Sequence, residues 1–392
     1  MTNYSVTKNN KMLSLGMIGI GIAGIAYGFA SDVTRTWASL LHGNFYLLAI
    51  ALAGLFFYAL QFAAEVGWSA GILRIPLAMA QYLPYACGFL ILIFLFGHHD
   101  IYHWTHPQLY DKASPEFDKI LYGKQAFLNI PFFVIRLVIY GLIWAGSAIM
   151  LRKYAMEEDK IGGTENYWKS SKLAHVFLVL FAVTSSTGAW DILMSIDAHW
   201  FSTLFGWYIF AGMFVTGMTV LGMFTIYLKR NGYLPKVNEN HLHDIGKFMF
   251  AFSVFWTYLW FSQFMLIWYA NLPEEVAYYA LRQTPHFKPI FIMNFLINFF
   301  VPFLTLMTRD AKRKENALIV AGILMIIGHW IDVWLIIMPG IMGTHAHIGI
   351  VEICSTLFFG GLFLWVFFNA FSKAPVVAEK HPMIEESYHF QV

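Results

Sequence analysis

Charge is what this 392-residue sequence has least of: 12% of its residues are Asp, Glu, Lys or Arg, against about 25% in soluble domains. That shortage excludes a water-soluble globule. Cysteine is nearly absent as well, with only Cys87 and Cys354, both inside apolar runs. No disulfide framework, no C-x-x-C metal pair and no C-x-x-C-H haem attachment can be written from two such residues, which excludes a covalently bound cofactor. Histidine is scarce at membrane depth, where His175 and His329 lie near opposite faces, so no facing pair is offered to haem b. The net charge of +2 is spread through loops without a basic stripe, and nucleic acid is excluded as a partner.

What the sequence has instead is 58% hydrophobic and 18% aromatic residues. A bilayer crossing takes about 20 mostly apolar residues. On that measure ten spans are expected, at about 12–30, 43–65, 83–97, 127–150, 173–190, 204–228, 247–270, 289–307, 317–338 and 347–371. The first has too long a core for a signal peptide and lacks a small-residue cleavage site, so it is read as a retained helix. The expected fold is all-α and polytopic, a single integral membrane domain over 1–392 with no catalytic head. The two ends and every second loop carry 17 of the 25 Lys and Arg, and the intervening loops carry 6. By the positive-inside rule both termini face the cytoplasm. The stretch Trp68 to Tyr82, apolar with one Arg, reads either as an interfacial helix or as a foot of the third span.

Ionisable residues within spans mark pathways or paired sites, since burying a charge there costs from ~2.5 to more than 10 kcal/mol. On the outer half stand Arg136, Asp191, Asp197, His199, His329, Asp332 and Glu352, with His345 and His347 beside them. On the inner half stand Glu65, His175 and Lys247. At a rise of ~1.5 Å per residue, Asp332 and Glu352 sit roughly 8 to 9 Å deep on neighbouring helices and Arg136 about 13 Å deep. The expectation is that the two carboxylates share a proton while Arg136 holds one of them ionised. His329 and Asp332, at i and i+3, lie on one face, where a local hydrogen bond would satisfy a buried His. Hydroxyls between the two sets (Thr184, Ser185, Ser186, Thr187, Thr216, Thr219, Ser253, Thr257 and Tyr258) either relay protons or let helices pack closely. The outer tract His98, His99, Asp100, His103 and His106 has the composition of a metal site, but a membrane-edge loop explains it equally and no metal is assigned.

Internal repetition is hinted at: Gly188-Ala189-Trp190-Asp191 and Gly328-His329-Trp330-Ile331-Asp332 each set a carboxylate near Trp at the outer side, four spans apart. That fits two bundles of four helices in repeated orientation.

The runs WDILMSIDAHWFSTLFG (Trp190 to Gly206) and HDIGKFMFAF (from His243), then YLWFSQFMLIWYANLPEE up to Glu275, together with Gly67-Trp68-Ser69 and Arg74, resemble the second large membrane subunit of alternative complex III. That is a bacterial quinol-oxidising complex, and the subunit is similar to integral membrane proteins of the polysulfide-reductase and NrfD type. The resemblance covers the second to eighth spans most closely. It implies two four-helix bundles with the first and last helices packed outside them, in the bacterial inner membrane. It also implies a paralogous membrane subunit, an extracytoplasmic iron–sulfur subunit and multihaem cytochrome c subunits as partners, and leaves open whether a terminal oxidase is attached. Menaquinol or ubiquinol would be the electron donor, with iron–sulfur clusters and c-type haems in the partners rather than in this chain. Ile192 and Ala198 stand where the family has Trp and Pro, and Leu77 where an acidic residue often follows Arg74. By their depth in the spans, Arg136, Asp191, Asp332 and Glu352 are expected to form an outer polar site with Asp197 and His199 as its exit. Glu65, His175 and Lys247 are expected to form a cytoplasmic entrance. Two other readings stay open: a structural anchor without chemistry of its own, and a free-standing secondary transporter.

Overall fold

The computed structural model describes residues 3–391, and among them the only strand-like pairing is an isolated bridge between Asn3 and Pro375. Ten long helices carry the chain: α1 (Lys8–Ser31), α2 (Val33–Ala63), α3 (Leu83–Ile101), α4 (Ile130–Ile161), α5 (Glu165–Ile192), α6 (Leu204–Arg230), α7 (Glu239–Ala270), α8 (Lys288–Leu306), α9 (Glu315–Met342) and α10 (Ile350–Ser372). Each belongs to a segment long and apolar enough to cross a bilayer. The protein is all-α and multi-pass, as expected where hydrocarbon forces backbone groups to pair within their own segment.

Local chemistry sets the ends. Asp32 closes α1 and opens α2, its side chain accepting from the Arg35 N–H. Asn129 caps α4 ahead of Pro131, and α4 stops at Gly162 with φ 72°, a conformation that favours glycine. Several helices outrun the hydrophobic spans at their ends. α4 and α5, in particular, continue as a charged hairpin to Ile161 and from Glu165.

Helices α2, α3, α4 and α5 close a four-membered ring in which each packs on the next, and α6, α7, α8 and α9 close a second. α2 also packs on α6 and α9, which is why it is buried almost throughout. α1 packs on α10 and α10 on α2, outside both rings. The seam between α1 and α10 is built from small residues: a Cβ on Gly24 would lie 2.2 Å from the Cβ of Cys354, and one on Gly21 would lie 2.5 Å from that of Phe358. Such residues let helix backbones approach in lipid, where no hydrophobic force drives them together. The opposite face of α1, with Met12, Leu13, Ile20 and Tyr27, is exposed.

α8 is interrupted by a π turn over Leu296–Phe300 followed by Pro302. Proline removes a backbone donor and crowds the carbonyl four residues earlier, and single π turns are frequent at functional sites.

The Trp68–Tyr82 stretch is not an interfacial helix. Residues 67–80 are buried within the protein, with a short helix over Arg74–Ala80 that leads into α3, so the reading as a foot of the third span is nearer. Burial is feasible because Arg74 pairs with Asp159 at 2.5 Å and donates to the Ala155 carbonyl. Both ends of the described chain meet on one side, where Tyr4 packs against Tyr233, Phe368 and Phe371.

Candidate functional site: a buried carboxylate in the second bundle

The outer ionisable residues are not one cluster. Asp191, Asp197, Asp332 and Glu352 stand in four separate arrangements, and three of these are ion pairs. Arg136 on α4 makes a two-point pair with Asp191 on α5, at 2.8 and 2.9 Å, and Tyr140 adds a hydrogen bond at 2.6 Å. The Arg136 guanidinium also lies over the rings of Phe127 and Phe132, 4.0 and 4.2 Å from their centroids. Glu352 pairs with Arg35 of α2 at 2.8 and 2.9 Å and accepts from the Gly349 backbone. Asp197 accepts from Arg282 at 3.1 Å.

The expected sharing of a proton between Asp332 and Glu352 beside Arg136 is therefore overturned. α9 runs on to Met342 and α10 starts only at Ile350. Glu352 is thus in the first turn of its helix, while Asp332 lies roughly 15 Å along α9 from its outer end. The two differ in depth, and Arg35 takes the role proposed for Arg136.

Asp332 is the fourth arrangement. Its carboxylate receives Tyr208 of α6 on Oδ1, Asn294 of α8 on Oδ1 at 2.8 Å and Trp256 of α7 on Oδ2 at 3.1 Å. All three donors are neutral, and one comes from each other helix of the second bundle. No ion pair to Asp332 is present among the described residues, and the residue is 4% exposed. Charge burial without a counter-ion is costly unless hydrogen bonds compensate. Three neutral donors supply those bonds and leave the group able to take up a proton without breaking an ion pair.

Two small cavities flank this carboxylate. The outer one is lined by Tyr208, Gln263, Arg282, Asn294 and Asp332, and the inner one by Tyr46, Tyr208, Thr216, His329 and Asp332. Each has a volume of about 20 Å³, which suits a single water molecule and is far below the volume of a drug-sized ligand site. Arg282 closes the outer cavity. It stacks on Tyr278, 3.4 Å from the ring centroid, and donates to the Leu335 and Ile336 carbonyls as well as to Asp197. His329 is buried with neither ring nitrogen bonded to protein among the described residues. Its ring meets that of Trp256 edge-on at 5.3 Å. The local His329–Asp332 hydrogen bond does not form, because both carboxylate oxygens turn to the other three helices.

The remaining candidates are dispersed. His199 pairs with Asp118 at 2.5 Å in the outer loops, away from Asp197's partner Arg282. Burial pushes the Asp118 carboxyl up, but the Leu121 N–H, the His199 side chain and the Ile120 N–H outweigh it and hold it below its ordinary value. His345 and His347 stand beside Arg35, with Nε2 of His347 2.7 Å from the guanidinium. Glu65 ends α2 exposed at φ 51°. His175, also exposed, bonds back to the Ser171 carbonyl, and Lys247 pairs with Asp244 on its own helix at 2.7 Å. No hydrogen bond or ion pair joins these three among the described residues, so they do not converge on a common entrance.

The hydroxyl wire fails for a related reason. Thr184, Thr187, Thr216, Thr219 and Thr257 each donate to the carbonyl four residues earlier in their own helix, and Tyr258 is 63% exposed on the outside of α7. In the outer tract, His98 and His99 approach ring to ring at 4.2 Å. Yet no group of three or more His, Cys, Asp or Glu able to hold a metal occurs among the described residues.

Sequence reasoning overlooked Arg35, Tyr208, Trp256, Arg282 and Asn294. Arg35 and Arg282 counted only as loop cations. Asn294 and Asn298, two amides at i and i+4 within an apolar span, were the one legible signal. No family model matches the chain, and no curated protein matches it.

Proposed function

We propose that this chain is the membrane subunit of a quinol-oxidising respiratory complex of the alternative complex III kind, in which it moves protons while partner subunits carry the electrons. The observation that carries the reading is Asp332: of the four outer carboxylates it alone has no basic partner among the described residues, and it lies between two water-sized cavities. In the proposed relay a proton passes from the inner cavity, beside His329, to Asp332, and from there past Arg282 to Asp197 and the outer surface. Hydroxyl, imidazole and carboxylate groups linked by water are suited to such transfer, and intramembrane ionisable residues mark proton paths by default. The space beside Asp332 fits water rather than a quinol ring, so the assigned role at this position is proton transfer. The iron–sulfur and c-type haem centres belong, in this reading, to partner subunits of a bacterial inner-membrane complex with both termini of this chain in the cytoplasm.

The test is purification of the complex from its own membrane, followed by Asp332→Asn. A preparation carrying c-type haem absorbance, in which the substitution abolishes proton release coupled to quinol oxidation, supports the reading. The three ion pairs between elements favour a second reading, a structural anchor. That reading is correct if the complex assembles and Asp332→Asn changes neither quinol oxidation nor proton release. A chain that purifies alone and without haem points to a transporter instead.

A further inference from the structure

The two bundles use the same positions for opposite ends. Both α4 and α8 begin with proline at their second residue, Pro131 and Pro289, and both run inward as the third helix of their ring. In that common register Phe133 matches Phe291, Arg136 matches Asn294 and Tyr140 matches Asn298, all at identical spacing and all buried. In each bundle the residue five after the proline bonds the carboxylate of the fourth helix: Arg136 to Asp191 and Asn294 to Asp332.

We propose that Asn294 is the positioning residue that keeps Asp332 open to gain and loss of a proton, and that Arg136 at the matching place closes Asp191 to the same exchange. The inference rests on the proton-transfer reading for its purpose but not for its chemistry. Arginine has no neutral form in proteins, so protonating Asp191 would strand a buried guanidinium, an outcome far costlier than the intact pair. An amide instead carries both a donor and an acceptor, and so can serve either form of the carboxyl group.

The surroundings supply the second half of the switch. Asn298 Nδ2 donates to Asn294 Oδ1 at 2.6 Å, while Asn298 Oδ1 is buried without a partner among the described residues. That oxygen sits where a Cβ on residue 328 would come within 2.3 Å, and residue 328 is Gly. With Asp332 ionised, hydrogen bonds run from Asn298 to Asn294 to the carboxylate. With Asp332 protonated, both amides turn over. The Asp332 hydroxyl then donates to Asn294 Oδ1, and Asn294 Nδ2 donates to Asn298 Oδ1. The number of hydrogen bonds along the line is unchanged, the unpartnered atom passing from Asn298 Oδ1 to Asn298 Nδ2, and the one proton added is the one carried by Asp332. Asn298 itself lies within the π turn of α8. Groups facing Asp332 from the other elements are Tyr208 of α6, Trp256 of α7 and, across the outer cavity, Tyr278, Tyr279 and Arg282, while His329 stands beside it on α9 itself. Arg282 is committed to Asp197 and to the Tyr278, Leu335 and Ile336 carbonyls.

The experiment is pH-difference infrared spectroscopy of the purified protein, reading the carbonyl stretch of a protonated carboxyl group. The unaltered protein is expected to show a band that comes and goes with pH and is missing in Asp332→Asn. Asn294→Arg is expected to lose that band at every pH, and Asn298→Leu to move its midpoint by about one pH unit. Arg136→Asn is expected to create a second band, removed by adding Asp191→Asn. If Asn294→Arg does not fold, the Asn298 and Arg136 variants decide. An unaltered protein without the Asp332 band, a band that survives Asn294→Arg, an unmoved midpoint in Asn298→Leu, or no new band in Arg136→Asn overturns the proposal. Because the readout needs neither quinol nor transport, bands that behave as stated beside unchanged proton release would sink the proposed function and leave this inference standing.

Discussion

Arg35 and Glu352 lie 317 residues apart in the chain and form a two-point ion pair at 2.8 and 2.9 Å, with the Glu352 side chain fully buried and Arg35 half-buried. The pair fastens α10 to α2, and through α10 it fastens α1. Removing one member of a buried pair strands the other at a cost of about 3 to 5 kcal/mol, whereas replacing both by apolar residues is often neutral. Glu352→Gln is therefore expected to lower stability towards denaturant by roughly the lower end of that range, and Arg35→Met with Glu352→Met to recover most of it. Equal losses in the single and double variants would show that the pair is not what holds the helices.

Asp191 and Asp332 should respond differently to the same change. Asp191→Asn leaves Arg136 unmatched and is expected to cost about 3 kcal/mol or more. Asp332→Asn still accepts hydrogen bonds from neutral donors and should cost on the order of 1 kcal/mol. Thermal unfolding of the two purified variants checks the order, and a larger loss for Asp332→Asn contradicts the distinction between a paired and an unpaired carboxylate.

His381 gives the C-terminal tail an acid dependence. It is 5% exposed, with the rings of Phe62 and Tyr167 at 5.5 and 5.4 Å. Burial, and after it the nearby Arg74 charge, push its imidazole from 6.5 down to about 4. Since the folded value lies below the unfolded one, the unfolded chain takes up the proton first as pH falls. Stability is unaffected above about 6.5 and declines between about 6.5 and 4, by an amount on the order of 3 kcal/mol in full. Hydrogen exchange over residues 373–391 should accelerate in that window, and His381→Phe should flatten the dependence. An exchange rate insensitive to pH, once corrected for intrinsic chemistry, would refute this.

Gly24→Val tests the α1 seam. A side chain there collides with Cys354, whose Cβ would be 2.2 Å from the new one, and overpacking of this kind costs about 1 to 3 kcal/mol. The same change at Gly16, which has nothing within 4 Å, should be tolerated. Comparing the melting temperatures of the two variants settles whether close approach, rather than glycine content, holds α1 in place.

The proposed site was legible only in part. Asp332 stood out because a charge inside an apolar run has few reasons to be there, and its depth class could be read from the span. Its partners could not: Tyr208, Trp256 and Asn294 are 124, 76 and 38 residues away, and nothing in a one-dimensional pattern says which face of each helix turns inward. The error over Glu352 came from the helix ends, since α9 runs four residues longer and α10 starts three residues later than expected, which places the carboxylate in the first turn. The hydroxyls were misread because spacing reveals position and not the competing bond to a helix's own carbonyl.

The number of helices long and apolar enough to cross a bilayer and the helical class follow from composition and order, because a bilayer accepts only long apolar segments whose backbone pairs internally. Which carboxylate is locked by arginine and which rests among neutral donors was decided by tertiary packing. The rotation of each helix selects one or two polar side chains to face the bundle interior, and that choice is made by residues distant in the chain.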